Sequence, residues 1–332
     1  MGAGAQEPNA HKEAATAELT IRQGADGSFS LWSPRFGEGF HSRRGALRVA
    51  RETFLAPSQL ERFCPGQRLT VVEVCVGTGT NLALLLEGCA ELGLELEWWG
   101  LELDPAPLQL ALAEPKFRSQ WHPQTLKTLE TLSERGCWQQ SCGQQSCGQQ
   151  GAGSGRMLWG DARQALPHLL EQRRGQVDLI WHDAFSPQRC PQLWTVEFLG
   201  SLAELLADGG HWISYCSAAA VREGLRLADL NVVALATANP GPSSGQQQPS
   251  WSGGTVASHQ HLAPAVLWRP LSSMELEHMS CSAGEPYRDP TATANTADIL
   301  RQRRIAQAKA LALGERSTSS AWRKRWGLQQ GC

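Results

Sequence analysis

Leu69-Thr-Val-Val-Glu-Val-Cys-Val76, followed at once by Gly77-Thr-Gly79-Thr-Asn81 and a leucine-rich stretch, decides the fold. A nearly continuous run of β-branched residues is what a strand buried on both faces looks like, and such strands belong to central, mostly parallel sheets. The glycines then turn the chain from strand into helix. The same rhythm repeats downstream. Strand-like residues 94–101 end at Glu102-Leu-Asp104-Pro105, and residues 156–159 end at Gly160-Asp161. Residues 177–181 end at Asp183, and a helix over 192–206 leads through Asp208-Gly209-Gly210 to a strand over 211–216 and a helix over 218–227. Strands alternating with helices predict an α/β fold: a Rossmann-like, mostly parallel twisted sheet with helices on both faces. Ligands then bind at the carboxyl ends of the strands.

Around this centre the chain divides by composition. Residues 1–18 read as a disordered N-terminus. Residues 19–68 read as a flap and a basic helix: a short hairpin turns at Asp26-Gly27-Ser28, and the stretch 36–54 that follows, with Arg35, Arg43, Arg44, Arg48 and Arg51, reads as a helix in its second half. The main domain runs over 69–270, interrupted by Gln/Gly-rich segments at 137–155 and 239–258 that are too polar for packed connections. Residues 271–332 form a basic extension. From Arg301 through Arg303, Arg304, Lys309, Arg316, Arg323, Lys324 and Arg325 the balance is eight cations against Glu315 alone.

The chain has 332 residues, 19% of them charged, and a net charge of −2, which excludes a wholly disordered or fibrous protein. The richest apolar stretch, residues 82–103, is broken by Glu87, Glu91, Glu95, Glu97 and Glu102, so no membrane span is expected. Residues 1–18 lack a basic start and an apolar stretch, so no secretory signal is read and the expected location is cytoplasmic. Ten cysteines contain no Cys-x-x-Cys pair; Cys137, Cys142 and Cys147 sit in a tandem repeat that reads as low-complexity insertion, and no metal site is expected.

Three groups carry candidate chemistry. Gly77 and Gly79 let backbone amides approach a ligand, and Glu102, 23 residues beyond Gly79, is spaced to hold two ribose hydroxyls. Leu82 stands where a dinucleotide fingerprint has its third glycine, so a nucleoside without pyrophosphate suits the loop better. Asp161 is placed to accept from an adenine amine, and equally to cap the helix that follows it. Asp183-Ala-Phe185-Ser-Pro187-Gln-Arg-Cys-Pro191-Gln-Leu-Trp194 sets an acid at a strand end, then an aromatic and two prolines that stiffen a lip over the site.

Together, Gly77-x-Gly79, Glu102, Gly160-Asp161 and above all the spaced Asp183, Phe185, Pro187, Pro191 and Trp194 resemble the methyltransferase half of the MnmC family, which makes 5-methylaminomethyl-2-thiouridine in tRNA, including stand-alone MnmC-like methyltransferases. The likeness covers residues 36–230. It implies a class I S-adenosyl-L-methionine-dependent methyltransferase fold over the main domain, with transfer to the primary amine of 5-aminomethyl-2-thiouridine at the anticodon wobble position. Carried over by position, the glycine loop holds the methionine part, Glu102 the ribose and Asp161 the adenine. Asp183 then faces the amine as the catalytic residue, and Phe185, Pro187 and Trp194 contact the substrate. About 100 residues follow position 230 and contain no second glycine fingerprint, so the flavin oxidase of the bifunctional family, and FAD with it, is not expected.

A carboxylate beside a nitrogen that gains charge stabilises the transition state more than the ground state. An alkylamine with a pKa of about 10 must first lose its proton, which burial and the sulfonium charge favour. The alternatives are a spermidine-synthase-like aminopropyltransferase, another small-amine methyltransferase, or a non-catalytic module that binds S-adenosyl-L-methionine or RNA. With near-neutral net charge, tRNA contact is expected through two local basic patches, Arg35 to Arg51 and Arg301 to Arg325.

Overall fold

The computed structural model of the protein describes residues 18–140, 153–236 and 253–328. The expected hairpin forms as antiparallel β1 (Thr20–Gln23) and β2 (Phe29–Ser33), and β3 (Glu38–Gly39) adds a third strand. Its turn also caps the helix that follows. The Asp26 carboxylate accepts the amides of Ser28 and Arg48, each at 3.0 Å, and Ser28 Oγ accepts the amide of Ala46 at 2.7 Å. That helix comprises α1 (Ala46–Val49), a π-helical stretch over Ala50–Leu55, and α2 (Ala56–Ser58). The wide middle turn is a departure from the regular helix predicted.

The main domain follows as β4 (Arg68–Val74), α3 (Thr80–Leu92), β5 (Glu95–Glu102), α4 (Ala106–Ala113), α5 (Pro115–Arg118), α6 (Pro123–Arg135), β6 (Cys137–Gln140) and β7 (Gly153–Trp159). It continues as α7 (Ala162–Arg173), β8 (Val177–His182), α8 (Val196–Leu205), β9 (Leu206–Ser214), α9 (Ala219–Leu227), β10 (Asn231–Leu235), β11 (Thr255–Ser258) and β12 (Trp268–Arg269). These strands form one nine-stranded sheet in the order β12-β10-β11-β9-β8-β4-β5-β7-β6. The five strands from β9 to β7 run parallel, as their buried, β-branched sequences require, and the flanking pairs are antiparallel. β4 lies between β5 and β8, so the strand order reverses there and opens a crevice at the carboxyl ends of β4 and β8.

Apolar side chains cover both faces. Phe54, Leu82, Leu85, Trp98, Leu129 and Trp181 pack on one side, and Leu166, Leu169, Trp194, Phe198, Trp212 and Val221 on the other. Several boundaries differ from the sequence reading. Cys137–Gln140 and residues 153–155, assigned to an insertion, are paired strand, and so is Thr255–Ser258, buried throughout. The rest of those two segments, apart from Gly253 and Gly254, lies outside the described residues, as do residues 1–17 and 329–332. Asp208-Gly209-Gly210, expected as a turn, lies inside β9 as an irregularity: pairing jumps from Val177 with Leu206 to Leu179 with His211.

The extension carries α10 (Ser273–Ser280), α11 (Thr296–Ala312) and α12 (Ser319–Arg325). It is packed on the domain. Tyr287 is buried and its carbonyl accepts the amide of Val196 at 3.0 Å, while the buried pair of Arg222 on α9 and Glu275 on α10 meets at 3.1 Å. Among the described residues no helix is long and apolar enough to cross a membrane.

Candidate active site

β4 ends at Val74, and Cys75 then takes a left-handed conformation (φ 66°) with its amide bonded to the Leu101 carbonyl at 2.8 Å. The chain leaves the sheet there. Gly77 and Gly79 follow at φ 55° and 77°. A side-chain carbon on Gly77 would stand 3.1 Å from Phe40, and one on Gly79 would stand 2.9 Å from Leu108, so conformation and space both demand glycine. Glu102, at the end of β5, ties the loop down. One carboxylate oxygen accepts the Gly77 amide at 2.8 Å and the other accepts Leu103 and Asp104 amides at 2.7 and 3.1 Å. Burial pushes its pKa up and the three amides oppose that rise. A carboxylate has about four acceptor positions, so Glu102 keeps one for a ligand.

Asp183 begins where β8 ends. Its amide bonds the Val74 carbonyl at 3.0 Å, which sets it beside the end of β4 at the reversal of strand order. Its carboxylate accepts from Asn81 Nδ2 at 3.0 Å, and Asn81 stands in the first turn of α3 just beyond the glycine loop. Burial pushes the Asp183 pKa up to about 7 against the Asn81 hydrogen bond. An acid poised there exchanges protons at physiological pH.

The loop after Asp183 is held by the hairpin segment. Phe185 stacks on Phe36 with centroids 4.4 Å apart and meets Phe40 edge-on at 5.1 Å. Ser186 donates its amide to Glu38 at 3.0 Å. Trp194 is fully buried, stacks on His182 at 4.1 Å, and donates its indole N–H to the Phe185 carbonyl at 2.7 Å; Tyr215 donates to the Ala184 carbonyl at 2.8 Å. Pro187 and Trp194 were both expected to contact the substrate. Both are buried and neither lines the cavity; the indole N–H of Trp194, its one polar atom, is satisfied by the buried Phe185 carbonyl. Trp194 shapes the Phe185 loop from behind.

Asp161 takes the cap position that the sequence also allowed. It accepts the Arg163 amide at 3.0 Å, and the Arg163 guanidinium holds both its oxygens. Partial burial raises its pKa, but the hydrogen bonds from Arg163 outweigh that and hold it below the ordinary range. It does not line the cavity. Arg163 also reaches the buried Asp289 at 2.7 Å, fastening the extension to the same corner.

A cavity of about 1030 Å³ joins these parts, with Gly77, Asn81, Glu102, Asp183 and Phe185 on one side and the hairpin segment on the other. Charge is divided between the walls. The lining arginines, Arg22, Arg35, Arg43 and Arg44, and the aromatics Trp32, Phe36 and Phe40, come from the hairpin segment. Glu102, Asp104 and Asp183 come from strand ends, and Glu38, on the hairpin side, is held by the Ser186 amide. Asn81, Glu38 and Tyr215 were not singled out in the sequence. Only Asn81 carried a signal, as a polar residue opening a leucine-rich helix next to the glycine turn.

The basic patches are partly consumed by the fold. Arg44 and Arg48 both pair with Glu52. In the extension Arg303 donates to the carbonyls of Ala283 and Glu285, Arg316 pairs with Glu285, Arg301 with Asp298 and Arg325 with Glu277. Arg304, Lys309, Arg323 and Lys324 remain exposed. No group of three or more metal-ligating side chains occurs among the described residues.

Residues 135–238 match a protein family described as S-adenosyl-L-methionine-dependent methyltransferase. The chain is 32% identical over 207 residues to the tRNA 5-methylaminomethyl-2-thiouridine biosynthesis bifunctional protein MnmC of Pseudomonas fluorescens, a match covering 58% of this chain and 29% of that protein. It is 29% identical over 207 residues to the protein of the same description from Chromobacterium violaceum, covering 59% and 30%. The chain thus spans less than a third of the length of these curated relatives. Among solved structures it superposes on MNMC2 from Aquifex aeolicus with a TM-score of 0.68 at 26% identity, covering 89% of this chain and 87% of that one.

Proposed function

We propose that this chain, which carries an S-adenosyl-L-methionine-dependent methyltransferase domain like that of MnmC, methylates the primary amine of 5-aminomethyl-2-thiouridine at the wobble position of tRNA. The observation that carries the reading is the seat of Asp183: a carboxyl group poised near neutrality, oriented by Asn81, at the reversal of strand order and inside a cavity shared with the glycine loop.

The residues present suit the methyl donor. Gly77 lines the cavity between Asn81 and Glu102, Gly79 supports the turn behind it against Leu108, and Glu102 retains an acceptor position for the ribose. When bound, S-adenosyl-L-methionine supplies a methyl group activated on a sulfonium. In this reading Asp161 stands near the adenine, one residue beyond Gly160, whose amide bonds the Glu102 carbonyl at 2.8 Å. Asp183 acts on the acceptor amine. Its carboxylate stabilises the charge that grows on nitrogen as the methyl moves from sulfur, and then takes the proton that the methylated ammonium releases to become the neutral secondary amine. Asn81 fixes which oxygen faces the amine. The Phe185 loop, braced by Trp194 behind and by Phe36 and Phe40 in front, keeps water away from the pair.

The charge division favours RNA over the alternative acceptor, a polyamine. A polycation is repelled by Arg22, Arg35 and Arg43, which pair with no acid among the described residues, whereas a phosphate backbone is attracted. The reading sets the chain at work in the cytoplasm, with the donor as its one cofactor. Mass spectrometry of wobble nucleosides in tRNA from a deletion strain tests it. Accumulated 5-aminomethyl-2-thiouridine is expected, and an unchanged nucleoside profile contradicts the assignment.

A further inference from the structure

The hairpin wall has a feature that methyl transfer itself does not use. Arg22 on β1 lays its guanidinium over the Trp32 ring on β2, with the carbon 4.0 Å from the ring centroid. Trp32 is only partly buried and lines the cavity, and its cross-strand neighbour Gly39 offers no side chain beside the ring. Among the described residues Arg22 pairs with no acid, and neither do Arg35 and Arg43 on the same wall; Arg35 lies over the Phe36 ring at 5.4 Å. A cation left over an aromatic face beside further unneutralised cations is an arrangement that accepts a flat group bearing negative charge nearby. Strand-end acids occupy the opposite wall, so the anionic part of the ligand must lie on the hairpin side.

Resting on the tRNA reading above, the geometry points to Trp32 as a stacking platform for a base of the RNA acceptor, with Arg22 moving from the ring onto the adjoining phosphate when the base arrives. RNA is the class of ligand that supplies both parts at one-nucleotide spacing. The platform sets acceptor affinity and leaves the donor half of the cavity alone, because among the described residues Trp32 makes no ring contact or hydrogen bond with the glycine loop or Asp183.

The test compares wild type, Trp32→Ala, Trp32→Phe and Arg22→Ala, each checked by thermal melt, for binding of an anticodon stem-loop RNA, for donor affinity and for methyl transfer. Base stacking on an aromatic ring is worth roughly a 5- to 150-fold change in RNA affinity. Trp32→Ala is expected to lose affinity in that range, with Trp32→Phe restoring most of it and donor affinity unchanged. Arg22→Ala should lower the slope of log affinity against log salt by about one phosphate contact. If wild type binds the stem-loop but Trp32→Ala binds it equally, the platform is overturned while the function stands. Unchanged salt slope in Arg22→Ala overturns the phosphate role. If wild type binds no RNA at all, the functional reading itself fails.

Discussion

Replacing Asp183 by Asn should stabilise the ligand-free protein, and by an amount that grows with pH. The side chain sits in a buried site at the end of β8 and its pKa is raised from 3.8 to about 7 by burial, with one hydrogen bond from Asn81 in partial compensation. A carboxyl group raised in the folded state favours folding while it stays protonated in the fold, below its unfolded pKa, and this contribution is lost as pH rises through the folded value. Between those limits the unfolded chain gives up its proton first, so wild-type stability falls as pH climbs from about 4 to about 7. The shift corresponds to roughly 4 kcal/mol in total, of which about 2 to 3 kcal/mol accrues between pH 5 and pH 8. Asn keeps the shape and the acceptor that Asn81 uses but does not titrate. The difference in unfolding free energy between Asp183→Asn and wild type, from urea melts, should therefore rise by that amount from pH 5 to pH 8. Subtracting the two proteins cancels most of the contribution of Glu73 and Glu102, which are raised in the same direction. A pH-independent difference would refute the claim that Asp183 is held near neutrality. So would a destabilised variant at pH 8. A gain in stability with a loss of activity is the usual mark of a group placed for function.

Three further outcomes follow from the geometry. Glu102→Ala should weaken S-adenosyl-L-methionine binding by roughly 30- to 150-fold in calorimetry, since ribose contacts and the anchor of the Gly77 amide are lost together; unchanged affinity in a folded variant removes Glu102 from the site. Gly79→Ala should lower stability in a denaturant melt by about 1 to 3 kcal/mol, because φ is 77° and the new carbon meets Leu108 at 2.9 Å; a neutral effect would show that the loop relaxes freely. Removing residues 271–332 should destabilise the domain by several kcal/mol, since Tyr287, Asp289 and Glu275 are built into it; a truncated chain of wild-type stability would make the extension a loose arm.

The parallel centre was legible in the sequence because β4 is buried on both faces, and a strand of that kind has no polar period to confuse it. Gly77, Gly79 and Glu102 followed from it, since each sits at a strand end where the chain must turn. β10, β11 and β12 were not legible. They are short, antiparallel strands at the edge of the sheet, and β11 lies against Gln- and Ser-rich sequence that reads as loop. Asp208-Gly209-Gly210 misled because a bulge and a turn call for the same residues. Trp194 misled for a related reason: an aromatic beside prolines reads the same whether its ring faces a ligand or the core, and only the 2.7 Å bond to the Phe185 carbonyl decides it. The flap was visible as a hairpin, but not its closure on the site. Glu38 and Ser186 meet across 148 residues of chain, a distance that no local pattern records.

The most direct measurement incubates the purified chain with methyl-labelled S-adenosyl-L-methionine and tRNA carrying 5-aminomethyl-2-thiouridine, then follows label into the wobble nucleoside for wild type and Asp183→Asn. Wild type is expected to transfer the label, and the variant to show a single-turnover rate lower by about 10²-fold or more at nearly unchanged donor affinity. Transfer at the wild-type rate by Asp183→Asn would contradict the role of the carboxylate. Wild type that leaves this tRNA unlabelled, yet passes an aminopropyl group to putrescine from the related sulfonium donor, would contradict the function itself.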